Sequence, residues 1–303
     1  MRRSKPTSTT NGSTSTTTVS PTTIPPIMKA VYINSFDTIC GIAAEEDILL
    51  NWCKKYSINT MYLYSLNTVL STTTKYTALS NFINKAKAAG ITKFFGFRSS
   101  ESSNIGTGTS SNKSYNASQS TNKINYSFED EFWNYDSETG TPPGADANGN
   151  STWSVWLPQQ QNIYATAKSQ GLSSDFYIGH VRDLIDNTPT ETIAAGLVSY
   201  TDRIHISCYI SSSSMDTVDG AFNNIKTRLE QLGSAALLLN KKIDVVVIFS
   251  AVSTDSYNYF LSNSFQKAYD KVVSSFNNTY FVGKGGINLV GWNVYGYQQA
   301  KTL

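Results

Sequence analysis

Charge is scarce in this chain: 15% of its 303 residues are Asp, Glu, Lys or Arg, and bases outnumber acids by two. No run of basic residues occurs in the body, so the electrostatic footprint of a nucleic-acid binder is missing. Histidine is scarcer still, represented by His180 and His205. Neither stands in an H-E-x-x-H or comparable spacing, so metal chemistry has no ligand set and both read as core histidines. Ser-His-Asp hydrolysis lacks its G-x-S-x-G elbow. Cys40, Cys53 and Cys208 have no C-x-x-C spacing and lie in apolar segments, which predicts buried free thiols. Long apolar runs are absent as well: residues 235–239 and 245–251 fall far short of the about 18 needed to span a bilayer. Gly283-Lys-Gly-Gly286 precedes a strand pattern where a phosphate cradle would open a helix. Asp146-x-Asn148-x-Asn150 begins like a calcium loop, but Ser151 and Leu157 stand where that loop needs a glycine and an acid. No metal and no cofactor is predicted.

What is present is a 40% hydrophobic, 12% aromatic chain, enough for one large core. Residues 1–27 are rich in Ser, Thr and Pro and carry no acid, which predicts a disordered tail or linker ahead of one domain over 28–303. The tail starts with basic residues but has no apolar h-region, so a signal peptide is not expected. Its acid-poor composition also fits an organellar transit peptide, and the compartment stays open. Within the body, eight β-branched and aromatic runs, at 29–34, 59–65, 92–97, 124–131, 175–180, 203–210, 243–249 and 287–292, alternate with helical patterns at 44–56, 76–89, 155–170, 189–199, 218–233 and 256–276. Eight strands with crossover helices predict a (β/α)8 TIM barrel. The Ser/Asn/Thr/Gly-rich stretch 98–123 predicts that a long polar loop replaces the crossover between strands 3 and 4, and a second long loop is expected over 134–152.

The most informative local pattern lies in the fourth run. Asn125, Ser127, Glu129 and Glu131 occupy alternate positions, so an extended chain puts them on one face, opposite Ile124, Tyr126 and Phe128. Paired carboxylates at a strand end raise each other's proton affinity, an arrangement suited to handling protons or sugar hydroxyls. The competing structural reading pairs them with Arg98 or Arg182. Strand parity sets Tyr32 and Asn34 opposite Val31 and Ile33, and Tyr209 opposite Cys208 and Ile210. A barrel mouth lined by Tyr32, Asn34, Glu129, Glu131, Tyr209 and Trp292 joins hydrogen-bonding groups to flat aromatic walls, which suits pyranose rings. Trp133, Trp153 and Trp156 read as pins for the adjoining loop.

Ser127-x-Glu129-x-Glu131 followed by Phe132 resembles the Asp-x-Asp-x-Glu strand of the family 18 glycoside hydrolases, the chitinase and endo-β-N-acetylglucosaminidase barrels. Ser207-x-Tyr209-Ile210 is similar to that family's Met-x-Tyr-Asp, keeping the tyrosine, and Trp292 matches a tryptophan ending its eighth strand. The resemblance implies Glu131 as general acid, with Glu129 and Tyr209 holding the substrate acetamide during a substrate-assisted retaining reaction. Ser127, Tyr32, Asn34, Trp292 and Asn293 are the implied substrate contacts. Because Ser127 and Glu129 depart from the family pattern, a barrel that binds N-acetylglucosamine-containing glycans with impaired or no cleavage is the neighbouring expectation. The alternative class is a non-catalytic, self-associating surface or lattice protein, which low charge and abundant Tyr, Asn and Ser would suit.

Overall fold

The eight apolar runs form eight parallel strands in a computed structural model that describes residues 27–99, 105–133, 152–184 and 186–303. They are β1 (Met28–Ile33), β2 (Thr60–Leu63), β3 (Lys93–Ser99), β4 (Asn125–Glu129), β5 (Ser174–Ile178), β6 (Arg203–Cys208), β7 (Ile243–Ser250) and β8 (Ile287–Tyr295). Each pairs with the next, and β8 pairs with β1 to close the barrel. Closure demands a close approach at Gly291, where a Cβ would sit 2.0 Å from the Met28 carbonyl oxygen. This is the predicted TIM barrel, in which every strand finds hydrogen-bonding partners on both sides and no sheet edge is left.

Every strand is followed by a helix of the outer layer: α1 (Ala43–Lys55), α2 (Thr73–Ala88), α3 (Ile105–Ser118), α4 (Trp153–Ser169), α5 (Thr190–Ser199), α6 (Gly220–Leu238), α7 (Phe265–Asn278) and the short closing turn α8 (Tyr297–Ala300). Helix α3 corrects the expectation of a polar loop between strands 3 and 4. Its sequence has poor intrinsic propensity and almost no apolar stripe, so tertiary contacts must supply what local preference lacks. They do so through polar side chains: buried Asn116 accepts from the Ile124 amide (2.8 Å) and donates to the Ile124 carbonyl (2.9 Å), and Tyr115 packs edge-on to Tyr76. The helical pattern over 256–276 likewise resolves into two pieces, a turn at Tyr257–Phe260 and α7, because Ser264 caps α7 by accepting from the Lys267 amide.

Between barrel and helices lies an apolar layer built from outward strand residues such as Val31, Ile33, Ile204 and Ile206 and from the inward faces of the helices. Glu46 is buried at the start of α1, where it accepts from the Gly41 amide at 2.8 Å and pairs with Lys85 at 2.5 Å. The barrel interior is polar at its centre. Tyr62 stacks on Phe95 with ring centroids 4.6 Å apart, and its hydroxyl reaches Asp175 (2.5 Å) and His205 Nε2 (2.8 Å). Burial alone would push Asp175 up, but Arg203 at 3.7 Å, with His205 and Tyr62, holds its carboxyl below the usual range. His205 is therefore the core histidine expected; burial depresses its proton affinity against the pull of Asp175. Cys53 and Cys208 are buried and Cys40 is half-buried, all as free thiols. Among the described residues, no helix is long and apolar enough to cross a membrane.

Candidate active site

Alternation along the strands sends Tyr32, Ser127, Glu129, Tyr177, Tyr209 and Tyr295 toward the barrel axis, and their outer ends meet at the C-terminal mouth. Tyr32 and Tyr295 have ring centroids 5.4 Å apart, Tyr295 stacks on Tyr209 at 5.3 Å, and Tyr64 adjoins Tyr32 at 5.9 Å. Glu129 sits inside this tyrosine ring and accepts a long hydrogen bond from the Tyr32 hydroxyl (3.4 Å). Burial among these rings pushes the Glu129 carboxyl up to about 8, and the charges of Glu131 and Asp130 push the same way, against the bond from Tyr32. At neutral pH Glu129 is thus mostly the protonated acid, able both to donate and to accept a hydrogen bond.

Two residues on, Glu131 leaves the barrel rim and lines a cavity of about 640 Å³. The cavity lies between the ends of β4, β5 and β6 and the stretch of α6 from Asn224 to Gln231, and Tyr177, Tyr209 and Trp133 contribute its aromatic wall. Trp133 is held by Gly179: a Cβ there would lie 2.9 Å from the Trp133 indole nitrogen. Trp153 and Trp156 stack on each other at 4.6 Å and are buried with Phe132 and Phe176, while the loop they were expected to pin lies outside the described residues. Tyr177 lies beside both Ser207 and Tyr209, so the floor joins the tyrosine ring to the cavity.

Glu129, Glu131, Tyr209, Tyr32 and Asn34 therefore come together at the mouth, Asn34 lying beside Tyr295. Three expected contacts do not. Trp292 points outward, packs against Phe265 of α7 at 5.6 Å and donates to Gln266 Oε1 at 3.2 Å. Adjacent strand residues face opposite ways, so Trp292 and Asn293 cannot both enter the barrel. Asn293 does enter, but it is fully buried against His205 Nδ1 (3.4 Å). Ser127 is buried below Glu129, where its hydroxyl has no hydrogen-bond partner. His180 is a further correction: β5 ends at Ile178, and His180 stands exposed on the cavity rim. Among the described residues Arg182 forms no ion pair with either glutamate, against the alternative that it neutralises them. The Arg98 side chain, the loop over 134–151 and the calcium-like Asp146-x-Asn148-x-Asn150 lie outside the described residues. Among the described residues, no cluster of His, Cys, Asp and Glu is suited to a metal ion.

The sequence reading missed Tyr64, Tyr177, Tyr295 and the cationic side of the cavity. Tyr177 and Tyr295 share parity with Asp175 and Asn293, a signal that was available in the strands themselves.

No protein-family model matches the chain, and no curated protein matches it. Solved structures with a similar fold include a GH18 chitinase from Pseudoalteromonas aurantia (10% identity, 89% of this chain and 94% of that one, TM-score 0.47) and a chitinase from Chromobacterium violaceum ATCC 12472 (11% identity, 74% and 68%, TM-score 0.43). The homocysteine methyltransferase MmuM from Escherichia coli is similar to the same degree (11% identity, 89% and 91%, TM-score 0.42). Glycoside hydrolases are thus among the structures similar to this chain, and the barrel itself is read from its own strand pairing.

Proposed function

We propose that the barrel mouth binds glycans containing N-acetylglucosamine and that Glu131 protonates the glycosidic oxygen while the sugar's own acetamide oxygen attacks the anomeric carbon. The bond to the leaving sugar breaks as the carbon–oxygen bond to the acetamide forms. Water then opens that cyclic intermediate and returns a proton to Glu131, with retention of configuration. Glu129, neutral at pH 7, accepts the acetamide N–H through its carbonyl oxygen, and the Tyr209 hydroxyl orients the acetamide carbonyl. Ordinary two-carboxylate catalysis suits this mouth less well, because it needs acids on opposing faces of the sugar and both glutamates follow one strand.

The observation that carries this reading is the Glu129 carboxyl, raised to about 8 inside a ring of tyrosines and placed two residues from a second carboxylate on an open cavity. Elevated proton affinity beside a concave aromatic wall is the pattern of a site for acid chemistry. The test is release of chromophore from a chitobioside together with calorimetric binding of chitotetraose. Glu131→Gln is expected to retain binding and to lose turnover by about a hundredfold or more. Binding without turnover in the unaltered protein reduces the proposal to a glycan-binding barrel, and absence of both refutes it.

A further inference from the structure

The cavity has a second character on its α6 side. His180 and Arg182 follow β5, and Arg228 reaches in from α6 to bond Gly179, just past β5, and Ser207 of β6. Arg228 is buried, donating from Nη1 to the Gly179 carbonyl (2.8 Å) and Ser207 Oγ (3.0 Å) and from Nη2 to the Asn224 carbonyl and Oδ1 (2.9 Å each). Every one of those acceptors is neutral, so among the described residues the guanidinium charge has no carboxylate bonded to it, and burial holds its proton affinity below the ordinary value. Arg182 is exposed on the same wall, and among the described residues it makes no hydrogen bond or ion pair. The His180 imidazole lies near both: burial first, then Arg182 and Arg228, push it below its usual value. The other groups facing it across the cavity are Tyr177, Tyr209 and, at the β4 end, Glu131.

Two guanidinium groups and an imidazole on one wall, with neutral Asn224, Thr227 and Gln231 beside them, leave net positive charge in a concave and partly desolvated place. A buried cation without an opposite charge is costly, and planar guanidinium donors match the oxygens of a carboxylate, sulfate or phosphate. We infer that the α6 wall of the cavity receives an anionic substituent of the glycan, so that the preferred substrates are acidic, carrying carboxylate or ester sulfate or phosphate, and are not neutral amino-sugar chains. This inference rests on the glycan reading above but has its own readout.

Two histidines make the imidazole resonances easy to tell apart by NMR, with buried His205 as internal reference. Addition of inorganic sulfate is expected to raise the His180 pKa in the unaltered protein, and to raise it much less in Arg182→Gln. Calorimetry then compares chitotetraose with a hyaluronan tetrasaccharide and with sulfated chitotetraose, which separates carboxylate from sulfate as the recognised group. The better charged chain is expected to bind about tenfold tighter than the neutral one, and Arg182→Gln to bring that ratio close to one. Equal affinity for neutral and charged chains, or a His180 titration that ignores sulfate, overturns the inference. A response to sulfate with no binding of any oligosaccharide also overturns it as stated, and identifies the glycan reading as the part that failed.

Discussion

Replacing Glu129 by Gln substitutes a permanently neutral group of nearly the same shape for one whose charge is disfavoured where it sits. The carboxyl is raised from 4.5 to about 8 in the folded protein. A raised carboxyl makes the folded state bind more protons than the unfolded state, so stability is greatest below the unfolded pKa. It falls as pH climbs toward 8 and levels off beyond. At about 1.4 kcal/mol for each tenfold change in proton affinity, the loss amounts to about 5 kcal/mol between pH 4 and pH 10, with about 3 kcal/mol of it gone by pH 7. Glu129→Gln carries none of this penalty. Urea unfolding of both proteins across that range is expected to give coincident midpoints near pH 4 and a variant increasingly more stable as pH rises. Parallel curves, or a variant less stable at pH 9, would show that Glu129 ionises freely and would remove the electrostatic basis of the site.

Two further expectations concern the frame around the site. Trp292→Ala removes a buried indole from the layer between β8 and α7 and is expected to cost about 3–5 kcal/mol in chemical denaturation. Trp292→Phe keeps that layer filled and leaves chitotetraose affinity unchanged; a large loss of affinity would return Trp292 to the mouth. Asp175→Asn leaves Arg203 without its buried partner and is expected to destabilise by about 3–5 kcal/mol at pH 7. Because the Asp175 carboxyl is held below the usual range, its stabilisation is present at neutral pH and disappears only as pH falls through that depressed value. The gap between this variant and the unaltered protein therefore closes in strong acid, which acid-dependent circular dichroism would detect.

Period-two runs of β-branched and aromatic residues were enough to locate all eight strands within a few residues, because each strand is buried on both faces and its composition is set locally. The same alternation identified Tyr32, Asn34, Glu129 and Tyr209 as facing inward, and the position of Glu131 two residues past Glu129 placed it at the rim. Helix α3 was not legible, since the hydrogen bonds between the Asn116 side chain and the Ile124 backbone that secure its end form only after the chain has folded back. Nor was the cationic wall: His180, Arg182 and Arg228 are separated by up to 48 residues and meet only when α6 packs beside the ends of β5 and β6.

The amino-acid order alone thus determined the barrel and one carboxylate pair, because alternation and strand length are properties of neighbours along the chain. Depth and encirclement were decided by barrel closure, which stacked tyrosines from β1, β6 and β8 around Glu129, raised its proton affinity, and turned Trp292 out to the helices. A side chain's proton affinity depends on the groups around it in space, and those groups come from strands that lie far apart in sequence.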